Sequence, residues 1–260
     1  FVYDAFPPIL LMAFRFGLTA LTLVFFVPVP KGYLQPIFWI SLVSATIQYS
    51  LTFTGVNGVD ASTAVIVVQL EFPFMALLAA VLLKDRLGAK GILGVVFAFC
   101  GIILIAGQPY LRENLFSVFL VASGACVWAF GQIMIKRLNG AVAGFTLIAW
   151  VAVFATPQLF LMSYLVEGNQ LSNLGHIGWI GWGVVLYLGL AMTALGYGIW
   201  YHLLGRYPVT KVGPVLLLLP VTSIASSVVL LGERLTWVEI LGAVIVIAGV
   251  WFVTTRPHPA

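Results

Sequence analysis

Residues 61–83 read ASTAVIVVQLEFPFMALLAAVLL, twenty-three residues that carry one charge, Glu71. At about 1.5 Å per residue a helix of this length crosses the ~30 Å hydrocarbon core of a bilayer. An ionisable side chain near the midplane is costly enough that it normally has both a partner and a task. The stretch therefore predicts a spanning helix, and with it a role in moving something across the membrane.

The rest of the chain agrees. Hydrophobic residues make up 62% and charged residues 8% of the 260 residues, and the mean hydropathy is +1.12. Soluble domains hold about 25% charged residues, so the composition is that of a polytopic membrane protein. The net charge of +4 does not indicate nucleic acid, because the Lys and Arg residues stand singly between apolar runs rather than on one face. The two cysteines, Cys100 and Cys126, lie inside apolar stretches and offer neither a disulfide framework nor a CxxC metal pair.

Nine apolar runs are long enough, or nearly so, to span: 8–27, 37–56, 61–83, 91–107, 115–135, 141–166, 177–204, 213–231 and 237–253. Short connections rich in Gly, Pro, Asn and charge separate them. Runs near twenty residues favour helices over barrel strands, which need about ten residues of alternating polarity. Cations are retained on the cytoplasmic side. Alternate connections hold Lys31; Lys84, Arg86 and Lys90; Lys136 and Arg137; Arg206 and Lys211; and Arg256, which is nine of the twelve. The opposite set carries Asp4, Asp60, Glu113, Glu167, Glu233 and Glu239 against only Arg112 and Arg234. The C-terminus is expected in the cytoplasm and Phe1 on the far side.

An internal repeat organises these runs. Leu83-Lys84-Asp85-Arg86-Leu87 followed by Gly94 and Gly101 returns as Leu231-Gly232-Glu233-Arg234-Leu235 followed by Gly242 and Gly249, at a constant offset (234 − 86 = 249 − 101 = 148). The same offset carries Tyr49 onto Tyr197. Because the charge argument puts Asp85-Arg86 inside and Glu233-Arg234 outside, the two copies are inverted, and an inverted repeat needs an odd number of helices. The second copy has five runs and the first has four. The expectation is an all-α bundle of ten helices in two inverted sets of five, 1–110 and 111–260, whose first helix precedes Phe1.

At this point the chain resembles the EamA branch of the drug/metabolite transporter superfamily. The resemblance rests on Phe6-Pro7-Pro8-Ile9-Leu10-Leu11-Met12-Ala13-Phe14-Arg15-Phe16, on Gln69-Leu70-Glu71-Phe72-Pro73-Phe74, and on the two [Asp/Glu]-Arg-Leu turns with their trailing glycines. It extends to Trp128 within Ser123–Lys136, and it covers essentially the whole chain. The resemblance implies a ten-helix inverted-repeat basket that exports small metabolites such as amino acids. Many members place Glu directly before Pro. Here Phe72 intervenes, which alters the facing of the carboxylate.

Transporters of this kind bind substrate near the midplane, beside interrupted helices. Pro73 cannot donate to the Gln69 carbonyl, so the helix is expected to bend there and to free an acceptor beside Gln69 and Glu71. Glu71 then either meets a substrate ammonium or carries a coupling proton; the plainer reading is a fixed pairing, for example with Arg15. Arg15 itself lies about 10 Å below the external surface. Three readings are open for it: it snorkels outward, pairs with an acid, or receives a substrate carboxylate. Tyr49 and Tyr197, joined by Trp128, Gln48 and Trp200, suit a shared pocket for apolar or aromatic solutes; the alternative is ordinary helix packing. The glycines at spacing seven are read as close helix contacts.

No HExxH, GxSxG, GxGxxG or Walker motif is present, so neither an enzyme nor an ATP-driven pump is expected, and no cofactor or metal site. The expected partners are a small-molecule substrate, membrane lipid and protons, in the bacterial inner membrane. A passive channel or uniport facilitator is the alternative; it is harder to reconcile with an inverted repeat around a lone carboxylate.

Overall fold

The computed structural model describes residues 6–84, 88–106, 114–138, 140–168, 178–206 and 236–254. The 213–231 run, both acid-Arg-Leu turns and residues 1–5 lie outside the described residues. Everything described is helix and short connection. The elements are α1 (Pro8–Leu23), α2 (Leu34–Val56), α3 (Ala61–Val68), α4 (Glu71–Leu82), α5 (Ala89–Ala106), α6 (Leu115–Arg137), α7 (Gly144–Val166), α8 (beginning at Trp179–Leu186 and ending at Gly198–Arg206) and α9 (Trp237–Thr254). Among the described residues six stretches are long and apolar enough to cross a membrane: 8–26, 34–56, 63–82, 115–137, 144–166 and 179–203. Two shorter apolar helices cover 89–105 and 237–252. Large side chains such as Phe116 (71% exposed) and Val81 (75%) face outward, as they do when lipid is the solvent.

Two helices change gauge in their middle. α2 widens to a π-helix over Leu42–Ile47, and α8 does so over Tyr187–Tyr197. Adding 148 carries 42–47 onto 190–195, inside the second π segment. The widening thus recurs at equivalent places in the two copies, with Tyr49 of the repeated pair just after the first segment and Tyr197 closing the second. The run 61–83 narrows instead. Gln69 N–H bonds the Ile66 carbonyl (3.1 Å), Leu70 N–H bonds Val67 (3.0 Å) and Phe72 N–H bonds Gln69 (3.3 Å), all one residue short of α-helical spacing. Pro73 has no N–H to offer Gln69, and Phe72 supplies it. The Gln69 carbonyl is therefore not released, contrary to the expectation from the sequence, but the interruption itself stands between α3 and α4.

Contacts divide the chain into two compact units, 1–50 with 134–206 and 51–133 with 207–260. Each unit draws helices from both sequence halves. In the first, α1 packs on α7 and α8, with Ile9, Leu10, Phe16, Ile148 and Leu159 buried. Pro7 at the N-cap of α1 has no side-chain acceptor, so Glu167 at the end of α7 supplies one. Its carboxylate takes the N–H groups of Ile9 (2.6 Å) and Leu10 (3.0 Å) and the hydroxyl of Ser163.

In the second unit α5 lies along α9. A Cβ on Gly101 would meet the Gly242 carbonyl at 2.8 Å, and one on Gly249 would meet the Gly94 carbonyl at 2.6 Å. Position 94 thus approaches 249 while 101 approaches 242, which makes the two helices antiparallel. They are also repeat-equivalent, so the contact is a self-complementary one between inverted copies. Thr236 and Glu239 cap α9 reciprocally, with Thr236 N–H to Glu239 Oε2 at 2.7 Å and Glu239 N–H to Thr236 Oγ1 at 3.3 Å.

Candidate functional site

The first unit builds its polar centre around Arg15. The side chain is buried, 8% exposed, so it does not snorkel. Its guanidinium carbon lies 5.7 Å from the ring centre of Phe16, 5.6 Å from that of Tyr49 and 6.0 Å from that of Tyr197. A desolvated cation over aromatic faces gains about 2 kcal/mol per good contact, and this offsets part of the cost of its burial. Nε donates to the Thr193 hydroxyl, and Nη1 lies 3.4 Å from the Met12 sulfur, a weak acceptor. Glu167 is the acid among this unit's described residues, and its oxygens are occupied by the α1 cap and Ser163. Arg15 therefore has no carboxylate partner among the described residues of its unit.

The tyrosines at equivalent repeat positions do meet: Tyr49 and Tyr197 bring their hydroxyl oxygens to 3.4 Å. Phe16 packs edge-on against Tyr49, and Tyr201 packs beside Tyr197. These rings, with Ser44, Ala45, Ile148 and Val151, line a crevice of about 10 Å³, room for one water at most. Gln48, buried, begins the α-helical stretch that follows the first π turn, and Trp200 is half-buried on the last turns of α8. A second, larger groove of about 710 Å³ lies between α1, α7 and α8, walled by Phe14, Leu21, Phe160 and Trp182. The hydroxyl at its wall, Thr156, is turned to the Ala152 carbonyl.

The second unit holds Gln69, Glu71 and Trp128. Glu71 opens α4 at the interruption, where the helix N-terminus favours a negative charge. It is half-buried, and among the described residues of its unit it makes no hydrogen bond or ion pair. Gln69 is 6% exposed; its Nε2 donates to the Val65 carbonyl at 3.4 Å, and its Oε1 is buried without a donor. Trp128 packs in the apolar core of this unit with Leu70 and Phe72.

Three residues of the Arg15 cluster were not singled out from the sequence: Phe16, Thr193 and Tyr201. Thr193 and Tyr201 stand four residues either side of Tyr197, the spacing that shares a helix face, and that is the signal that would have found them.

These observations define a class: a multi-pass α-helical membrane protein of two inverted copies, with a buried cation in one compact unit and, in the other, an acid at the interruption of a spanning helix. Comparison with known proteins gives the particular family. The chain belongs to the EamA-like transporter family, which matches residues 1–107 and 115–255. A probable amino-acid metabolite efflux pump of Escherichia coli K12 is 31% identical over 253 residues, covering 94% of this chain and 85% of its own. The protein of the same description from Salmonella typhimurium LT2 is 33% identical over the same coverage. A known crystal structure superposes with a TM-score of 0.69 at 18% identity, covering 96% of this chain and 89% of its own, a likeness of fold.

Proposed function

We propose that this transporter is a secondary exporter of small metabolites, amino acids first among them, that works by alternating access in the bacterial inner membrane with its C-terminus in the cytoplasm. The observation that carries the reading is Glu71. It is an acid on an interrupted spanning helix, half-buried and without a partner among the described residues of its unit, and beside it the Gln69 amide oxygen is also buried without a donor among them. Two acceptors lacking donors in a low-dielectric setting call for a solute that brings them, such as an ammonium or a proton. An acid held there only for structure would be expected to have its hydrogen bonds satisfied. The names of the efflux-pump relatives support the same reading.

Proteoliposomes loaded with labelled amino acids test it. The expected result is saturable efflux that unlabelled competitors inhibit, with Glu71→Gln lowering the flux roughly tenfold, the scale of one charged hydrogen bond. Linear, non-saturating flux identifies a passive pore, and unchanged flux and pH dependence in Glu71→Gln removes this carboxylate from the mechanism.

A further inference from the structure

Arg15 presents a guanidinium that aromatic rings surround and whose N–H groups are only partly used. Its central carbon lies within 6.0 Å of three ring centres. Of its five N–H donors, one goes to Thr193 and one to a thioether, and the remaining three have no acceptor among the described residues of its unit. An edge of parallel N–H groups takes a carboxylate in bidentate fashion.

Thr193 sets the direction in which that edge points. Its hydroxyl proton is directed to the Leu188 carbonyl at 2.8 Å, five residues back, a reach that the π-helical spacing of Tyr187–Tyr197 provides. With its proton fixed, the oxygen turns a lone pair to Arg15 Nε. One turn further along α1, Thr19 donates to the Gly189 carbonyl at 2.8 Å, so the same wide turn anchors the helix that carries Arg15.

We propose that Arg15 is the site that receives the carboxylate of the exported solute, and that Thr193, locked by the π turn, is the residue that positions it. This rests on the export reading above and narrows the solute to one with a free carboxylate.

The test uses purified protein in proteoliposomes loaded with the twenty labelled amino acids or, separately, with their C-terminal amides. The wild type is expected to export the acids at least about tenfold faster than the amides, the worth of one good charged pair. Arg15→Lys, which keeps the charge and removes the fork, loses that preference. Thr193→Val, near in shape but without the oxygen, raises KM for the acids severalfold with kcat little changed, and Thr193→Ser restores it. A purely structural role would lower yield and kcat and leave the ratio of acid to amide where it was. A preserved ratio in both Arg15→Lys and Thr193→Val, with the wild type active, overturns this proposal alone. Export of neither set by the wild type overturns the export reading itself, and this proposal with it.

Discussion

Glu167 shows how one residue closes a gap left by its neighbours. Pro7 and Pro8 start α1 well, because a proline at the first helical position gives up no needed N–H. Neither has a side-chain oxygen to cap the helix, and the otherwise unpaired N–H groups of Ile9 and Leu10 are met from the end of α7 instead. Glu167→Ala is expected to cost about 1–2 kcal/mol, the range for loss of a good N-cap, and to lower the melting temperature in detergent by about 2–8 °C for a chain of this size. Glu167→Gln, which keeps one acceptor oxygen, should lose roughly half as much. An unchanged melt in both variants removes the cap from the list of what holds α1 to α7. In the sequence Glu167 counts only as an acid of an external loop, because its partners are backbone N–H groups and leave no mark on composition. Arg15, Glu71, Tyr49 and Tyr197 are legible for the opposite reason: a charge in an apolar run and a tyrosine recurring at a fixed offset both violate the local pattern. Thr193 violates nothing, since a threonine in a spanning helix ordinarily bonds its own backbone, and only the three-dimensional contact gives it a role.

The same contrast holds for elements. Pro73 announces the break between α3 and α4, because the missing N–H is a property of the residue. The π turns are announced by no residue type. They become visible as a pair only once structure and repeat are laid together, with Gln158 accepting from Thr46 at the first (2.8 Å) and Thr19 donating to the Gly189 carbonyl at the second. The glycine stripes are legible from their spacing of seven, and the structure gives them a sharp test. A Cβ at Gly249 would stand 2.6 Å from the backbone of Gly94 and of Ala98, atoms that cannot turn aside, whereas one at Gly183 would meet nothing within 4 Å. Gly249→Ala should therefore force α9 away from α5 and destabilise the protein by about 1–3 kcal/mol, the usual cost of overpacking. Gly183→Ala should be neutral or slightly stabilising through helix propensity. Equal melting temperatures for the two variants would contradict the close crossing.

For the whole molecule, the offset of 148 made the duplication legible, and the crossing of α5 with α9 shows what it builds. What the offset does not convey is which helices associate. The sequence halves suggest two blocks in series, yet each compact unit takes helices from both. A copy with unfinished faces finds its complement in the other copy, and linear order carries no trace of that exchange. Direction in the membrane is a separate question, which charge decides. Lys136 and Arg137 lie in the last turn of α6 and Arg206 in the last turn of α8. With α7 between them, those two helix ends emerge on one side. The sequence has one further apolar run, 213–231, before α9, so α9 also ends on that side, next to Arg256. Retention of cations in the cytoplasm then supports the proposed orientation, with the C-terminus inside. Fused after Ala260, green fluorescent protein should fluoresce and alkaline phosphatase should be inactive; fused in the loop near Gly168, the phosphatase should be active. Replacing Lys136, Arg137 and Arg206 by Gln together should populate the opposite orientation, because no comparable cluster of cations remains in the second half to hold these loops back. A C-terminal phosphatase active in the wild-type chain would invert every assignment of inside and outside made from charge, while leaving the antiparallel contact of α5 and α9 untouched.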